Sequence, residues 1–375
     1  MVPAELMDVI LDYLRDDPST LKTCSLVSKY WLQSSRRHYF RAVVTALNQY
    51  KFVELCANTN AFIPQTLHDV YLVLEPQLET EAFSRTLPVL QNTTSLYVKF
   101  AKWEPSLSTL SAKFPGITNL RLDKIIFDSL SHALDFITSF PLLQSLSIHD
   151  TSWPDPHEDI RPPPISLTYL TLSDCCQRDI FDRLCSLEPI PLIPHIDLGY
   201  SVRPADTRSI GTYLSHLGEA LQTLTFGFWS FDAGGDAEDF YLSADLGLNA
   251  SLRRLRVDYF ISNMEVSQVT SAGPWIVKML HRLNPAALEN VDLGISPWSG
   301  DELDTEDDSI DWVDLDQLFS GRLSGARLRF LVYGYAVFEQ ICEGLKDRLA
   351  TCSQRGNLLI ERCRQPISRL HISHR

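Results

Sequence analysis

The hexapeptides ITNLRL (residues 117–122), LQSLSI (143–148) and LTYLTL (167–172) share the pattern apolar-x-x-apolar-x-apolar. The pattern returns along most of the chain at spacings of 24 to 36 residues. Its copies begin at Leu67, Thr93 (a degenerate copy), Ile117, Leu143, Leu167, Ile193, Leu221, Leu252 and Leu288. Two weaker strand-like runs follow at 327–333 and 357–363. Because a unit of this length cannot bury its apolar side chains alone, we expect the repeats to stack.

Segments with helical spacing lie between these runs, for example at 130–140, 180–187, 210–221 and 275–283. Each repeat therefore predicts one strand plus one helix, an α/β unit. Stacking places the strands in a curved parallel sheet with the helices on the convex side. This architecture resembles a leucine-rich-repeat solenoid of an irregular kind. The irregularity lies in the later repeats, which vary in length, and in the Asn or Cys that usually follows the third apolar position, which is missing here.

Side chains alternate along a strand, so the fourth and sixth positions of the pattern are expected to face the core. The residues beside them then face outward and form a mixed polar and aromatic surface. An ordinary solvated sheet face and a recognition surface both fit this pattern, and we favour recognition for the face as a whole. The candidate target-binding residues on it are Tyr71, Tyr97, Arg121, His149, Tyr169, His195, Arg254 and Arg256.

Aromatic residues give a second periodic signal. Trp103, Trp153 and Trp298 each lie ten residues after the first position of their repeat, with Phe127 and Phe231 at the equivalent place. A partner-binding edge is one interpretation. We favour the other, in which each ring is a core plug beneath the loop that follows the strand.

The first forty residues follow a different pattern, that of short amphipathic helices. Pro3 suits the start of a helix that runs to about Leu14. Asp17 and Pro18 then restart the chain as the N-cap and first turn of a second helix. A third helix is expected around 31–40. Helices this small cannot hide all their apolar side chains, so the surplus either faces a partner protein or caps the first repeat.

This segment closely resembles an F-box, in the form common among fungal F-box proteins. The resemblance is carried by VPAEL (2–6), the D-x-I-x-D-x-L run ending at Leu14, DDP (16–18), L-x-x-C-S-L-V-S-K-x-W (21–31) and SSRRHYF (34–40). It covers about the first forty residues closely and the remaining repeats by architecture alone. It implies a three-helix F-box domain at 1–44, followed by a repeat domain at 45–375 with an acidic loop at about 300–316.

The resemblance also implies a function. F-box proteins of this kind dock onto a Skp-type adaptor, and through it a cullin, and hold a target protein for a ubiquitin ligase. The implied adaptor-binding residues are Pro3, Leu6, Ile10, Leu14, Leu21, Cys24, Val27, Trp31 and Leu32. The alternative is a repeat scaffold outside ubiquitin transfer, in which the F-box binds the adaptor without recruiting cullin or only caps the solenoid.

Composition narrows the class of partner. The 375 residues carry a formal charge of −14, which disfavours nucleic acid and anionic membranes. No apolar run approaches the length of a membrane span, and no signal sequence is apparent, so we expect a cytoplasmic or nuclear protein. Eight cysteines without a C-x-x-C pair predict reduced, mostly buried thiols and no zinc site.

Sequence motifs of catalysis are missing as well. The chain contains no G-x-S-x-G, Walker loop, H-E-x-x-H or dinucleotide glycine fingerprint, so we expect neither an enzyme nor a cofactor. Nine acidic residues with no Lys or Arg occupy 301–316. Their spacing does not match the EF-hand template, so a flexible acidic loop is favoured over a calcium site.

Overall fold

A computed structural model describes residues 4–14, 17–28, 31–32, 35, 41–58, 67–74, 80–100, 102–154, 167–262, 270–297, 303, 310–334 and 337–363. Backbone contacts divide the chain into two compact units, Met1–Ser166 and Leu167–Arg375. Parallel strands alternate with helices in both units. Within the described part of the chain, no helix combines the length and apolar character that a membrane span requires.

The first unit begins with helices and continues with strand–helix repeats. Its helices are α1 (Ala4–Tyr13), α2 (Pro18–Ser25), α3 (Gln49–Ala57), α4 (Thr80–Thr86), α5 (Leu110–Lys113) and α6 (Leu130–Thr138), with a 3-10 helix at Pro105–Thr109. Its strands are β1 (Arg41–Val44), β2 (Asp69–Val73), β3 (Ser95–Lys99), β4 (Asn119–Asp123) and β5 (Ser145–His149). Within this unit the strands pair in parallel in chain order, from β1 with β2 to β4 with β5.

The second unit repeats the same alternation. Its strands are β6 (Tyr169–Ser173), β7 (His195–Asp197), β8 (Thr223–Gly227), β9 (Arg254–Ser262), β10 (Asn290–Ser296), β11 (Arg327–Val332) and β12 (Leu358–Arg362). Its helices are α7 (Gln177–Cys185), α8 (Pro204–Leu217), α9 (Ala233–Ser243), α10 (Gly273–Arg282), α11 (Trp312–Ser320), α12 (Phe338–Arg348) and α13 (Ala350–Arg355), with 3-10 helices at Gly218–Ala220 and Leu246–Leu248. Neighbouring strands are again parallel and follow chain order.

The sequence pattern marks the core, as predicted. In all nine copies, the fourth and sixth positions are at most 3% exposed. The four helices predicted from spacing are present as α6, α7, α8 and α10, although α8 begins six residues earlier than expected, at Pro204. Each fully buried aliphatic side chain contributes about 1.5–3 kcal/mol. The repeated apolar pair therefore fixes which face of each strand turns inward.

A tight backbone turn ends successive strands. Phe100, Lys124, Asp150 and Asp174, each the first residue after its strand, have φ of 57°, 57°, 43° and 51°, and Gly199 follows with 69°. The N–H groups of Phe100 and Lys124 donate to carbonyls of the next strand at 3.0 Å. Because side chains other than Gly rarely adopt this region, stacking of the repeats must hold the turn in place.

Two buried side-chain amides, those of Gln177 and Asn249, connect consecutive repeats. The Gln177 amide donates to the carbonyls of Leu172 and Leu198, both at 2.8 Å. The Asn249 amide donates to two carbonyls at the end of α8, at 2.8 and 3.1 Å. Each amide thereby joins neighbouring repeats through hydrogen bonds to backbone carbonyls.

The aromatic plugs are confirmed in part. Trp103, Phe127 and Trp153 are buried. Phe231 is 60% exposed, so the prediction was wrong there, whereas Phe228, three residues earlier, is fully buried. The predicted plug Trp298 lies outside the described residues.

The acidic run is not a loop throughout. Helix α11 begins at Trp312, and the Asp311 side chain accepts a hydrogen bond from the N–H of Asp314 at 2.8 Å as its N-cap. Asp316 lies within this helix and accepts the N–H groups of Thr351 and Cys352 at the start of α13, at 3.1 and 2.9 Å. The last acidic residues of the run therefore cap helices, which the charge pattern alone did not indicate.

All eight cysteines are free thiols, as predicted. Cys56, Cys175 and Cys352 are buried and the other five are half-buried, so fewer are fully enclosed than the sequence suggested. Burial raises the pKa of Cys56 to about 11, which keeps this thiol protonated at neutral pH.

Candidate functional site

Helix α1 has apolar side chains on two of its faces. Met7 and Leu11, one turn apart, are 4% and 0% exposed. The other apolar side chains of the helix project from the chain: Leu6 is 55% exposed, Val9 64%, Ile10 42% and Tyr13 91%. Because an α-helix has 3.6 residues per turn, these four side chains share one face, here named the α1 face. The helix is thus anchored by one apolar stripe and presents a second.

The remaining adaptor candidates are placed less uniformly. Val27 is exposed in the turn that follows α2, together with Leu26, which was not predicted as a site residue. Leu21 is 1% exposed and packs inside the chain, so it offers no side-chain surface to a partner. The half-buried candidates are Leu14, Cys24, Trp31 and Leu32. Pro3 lies outside the described residues.

The start of α2 has the predicted cap. The Asp17 carboxylate accepts hydrogen bonds from the N–H and the hydroxyl of Thr20, at 3.0 and 2.5 Å. An N-cap of this kind stabilises a helix by about 1 kcal/mol. The cap defines where α2 begins.

In the first unit, three predicted target-binding residues form one row. Tyr71, Tyr97 and Arg121 are in register on β2, β3 and β4, and exposed Val43 of β1 precedes them. The Tyr71 and Tyr97 rings are 5.1 Å apart, and the Arg121 guanidinium lies 5.0 Å from the Tyr97 ring centre. Contact between the two tilted rings and cation–π attraction therefore hold the row in a fixed arrangement.

The next row of the first unit holds the charges. The Tyr97 hydroxyl donates to Asp123 Oδ2 at 2.5 Å, and Lys99 Nζ lies 3.6 Å from the same oxygen. Burial and the hydrogen bond to Asp123 raise the pKa of Tyr97, so the hydroxyl stays protonated and remains a donor. His149, in register beside Asp123, is buried and offers little side-chain surface, against the prediction.

In the second unit, two predicted residues are stacked. The Tyr169 and His195 rings are 4.3 Å apart and nearly parallel, and His195 Nδ1 lies 2.9 Å from Thr223 Oγ1. Burial lowers the pKa of His195. The ring is therefore neutral at pH 7 and acts as an aromatic and hydrogen-bonding surface.

Arg256 is a structural group of the second unit. Its Nε donates to Asp258 at 2.9 Å, and its Nη2 donates to the Tyr333 hydroxyl at 3.0 Å. Burial lowers the pKa of Arg256, but Asp258 and Tyr333 outweigh that effect and hold the pKa above its ordinary value. Arg254, two residues earlier on β9, is exposed.

The second unit also holds an apolar cluster of aromatic rings on and just after its strands, which the sequence pattern did not predict. The Trp229 ring lies 4.4 Å from Tyr259 and 5.4 Å from Tyr200. Leu331 and Tyr333 pack with Tyr259. Each ring comes from a different repeat. Tyr200 and Tyr259 both occupy the eighth position of their repeats, counted from Ile193 and Leu252, and this recurrence is the sequence signal that could have linked them.

The described surfaces offer side chains suited to binding. Among them, no group of three or more His, Cys, Asp or Glu side chains is placed to hold a metal ion. The α1 face offers apolar contact, and the outward rows of the two units offer stacked rings, guanidinium groups and hydrogen bonds. These are the chemical means of protein recognition.

No protein-family model matches this chain, and no curated protein matches it in sequence.

Proposed function

We propose that this chain is a non-catalytic receptor that recruits a target protein to a Skp-cullin-F-box ubiquitin ligase. The observation that carries the proposal is the α1 face, an apolar stripe left exposed on a helix whose other apolar stripe is already buried. Its residues fall inside the segment 2–40 that resembles an F-box. An exposed apolar helix face of this kind suits a partner groove.

The competing role for these helices, a cap on the first repeat, requires the same side chains to be covered by the chain itself. Met7 and Leu11 meet that requirement, because both are buried. Leu6 and Ile10 do not. Only Met7 and Leu11 are thus covered by the chain itself, and the α1 face is open to the adaptor in this proposal.

In this proposal the chain acts by proximity. The adaptor holds the N-terminal helices, the outward rows of the sheet hold the target, and a separate enzyme transfers ubiquitin. Holding two proteins on one complex turns their encounter into an intramolecular event with a high effective concentration. Such a receptor works in the cytoplasm or nucleus, where adaptor and cullin are present.

The test is capture of purified adaptor and cullin by the full-length chain. We expect wild type to retain both proteins and the variant Leu6→Asp with Ile10→Asp to lose both. Leu142→Asp is the matched control. The Leu142 side chain is 54% exposed, nearly the same fraction as that of Leu6, and it lies outside the F-box-like segment. It should retain both proteins.

Two outcomes would contradict the proposal. Equal capture by wild type and the double variant would show that the α1 face does not bind the adaptor. Capture of adaptor without cullin would leave the chain a scaffold outside ubiquitin transfer.

A further inference from the structure

Two strands of the second unit carry the same short motif on either side of a third. Strand β9 begins RLRV (254–257) and β11 begins RLRF (327–330), while β10 between them begins NVDL (290–293). The register aligns Arg254 with Asn290 and Arg327, and it aligns Arg256 with Asp292 and Arg329. The outward face therefore carries two parallel rows, each with two arginines around a central side chain.

The inner row is neutralised within the chain. Arg329 donates to both oxygens of Asp292, at 2.8 and 2.5 Å, and also lies 3.4 Å from Glu361. Arg256 bonds Asp258, as described above. The hydrogen bond to Asp292 raises the pKa of Arg329. These charges are occupied by internal partners.

The outer row has the opposite character. Arg254 and Arg327 are exposed, and neither forms an ion pair with a described residue. Asn290, a neutral amide, takes the central place that Asp292 holds in the inner row. The acidic residue just before it, Glu289, lies 3.7 Å from Arg253. The outer row is therefore a cationic spot on a chain whose net charge is −14.

The spacing of this row suits one anionic group. Neighbouring strands lie about 4.8 Å apart, so the two arginine backbones are about 10 Å apart across Asn290. Both guanidinium groups can reach the space above Asn290, and each presents a planar fork of N–H donors that matches carboxylate and phosphate oxygens. The Asn290 amide adds a further donor at the centre.

We propose that Arg254, Asn290 and Arg327 bind an anionic side chain, carboxylate or phosphate, of an extended segment of the target protein. An open sheet face suits an extended peptide, which can lie across several strands. That the ligand is a ubiquitination target rests on the proposed function. The binding itself does not, because it requires neither adaptor nor cullin.

The experiment selects peptides on the full-length chain from a surface-displayed library of random twelve-residue sequences. We expect the selected peptides to share an Asp or Glu. Synthetic labelled copies are then titrated by fluorescence anisotropy against wild type and against Arg254→Gln with Arg327→Gln. Because charge-assisted bonds are lost, affinity should fall by about tenfold or more.

The matched control is Arg85→Gln with Arg208→Gln, which removes the same charge from exposed arginines on helices α4 and α8. It should bind as wild type does, and thermal unfolding should show that both variants stay folded. Replacing the acidic residue of a selected peptide by phosphoserine separates the sources: tighter binding identifies phosphate, and weaker binding identifies carboxylate.

Three results would overturn the site: no enriched peptide, enriched peptides without a common acidic residue, or equal affinity for wild type and the Arg254/Arg327 variant. The same variant should still capture adaptor, since its changes lie far along the chain from the α1 face. Loss of peptide binding with adaptor capture intact supports the site, whereas failed adaptor capture by wild type tells against the proposed function alone.

Discussion

The α1 face allows a quantitative prediction for adaptor binding. Complete burial of a Leu or Ile side chain contributes about 1.5–3 kcal/mol. Leu6 and Ile10 are 55% and 42% exposed, and burying those fractions against a partner contributes about 1.5–3 kcal/mol for the pair. The variant Leu6→Ala with Ile10→Ala should therefore weaken adaptor binding about ten- to a hundredfold.

The same variant should leave the fold intact. Substitutions of exposed side chains usually change the free energy of unfolding by about 0.5 kcal/mol or less. Leu11→Ala makes the opposite change, because Leu11 is fully buried, and should lower the free energy of unfolding by about 2–5 kcal/mol. Isothermal titration with a Skp-type adaptor measures the affinities, and urea unfolding measures the stabilities.

Either of two results would refute the proposed role of the α1 face. If Leu6→Ala with Ile10→Ala binds adaptor as tightly as wild type, the α1 face makes no contact in the complex. If that variant loses as much stability as Leu11→Ala, both apolar stripes of α1 serve the chain's own core.

Further predictions concern the second unit. Asp292→Ala removes the bidentate partner of Arg329 and should lower the free energy of unfolding in urea by about 1.5–3 kcal/mol; unchanged stability would show that Glu361 suffices. Gln177→Ala leaves two buried carbonyls without their donor and should cost about 2 kcal/mol or more in the same assay; a smaller loss would mean that other groups satisfy them. Burial raises the pKa of Asp206, so its charged form weakens the folded state at pH 7. Asp206→Asn should therefore raise the melting temperature at pH 7, with a gain that vanishes below about pH 3.9; a gain that persists at lower pH would contradict this linkage.

The strands of the repeats were largely predictable because their core positions are large and aliphatic and alternate with outward residues. Strand β1 was not, because its first inward residue is Ala42, which is small and only half-buried. Without a large apolar residue at that position, the run 41–44 carries little of the pattern. It nevertheless pairs with β2 along its whole length, inside the range 1–44 assigned to the F-box.

Neither candidate site could be fully defined from the sequence. Periodicity shows that α1 is apolar on adjacent faces, but it does not show that Met7 and Leu11 turn inward while Leu6 and Ile10 do not. That choice depends on packing between segments distant in sequence. The internal role of Arg256 also depends on a distant segment. Its guanidinium donates to the Tyr333 hydroxyl, which lies 77 residues away along the chain.

Adaptor binding as proposed requires the α1 face to be open in the free chain and covered in the complex. Hydroxyl-radical footprinting of the full-length chain, alone and with a Skp-type adaptor, measures this directly. We expect Leu6, Ile10 and Tyr13 to be oxidised in the free chain and protected in the complex, with Leu142 oxidised equally in both. Side chains of the α1 face that resist oxidation in the free chain, or that stay equally reactive with adaptor bound, would contradict it.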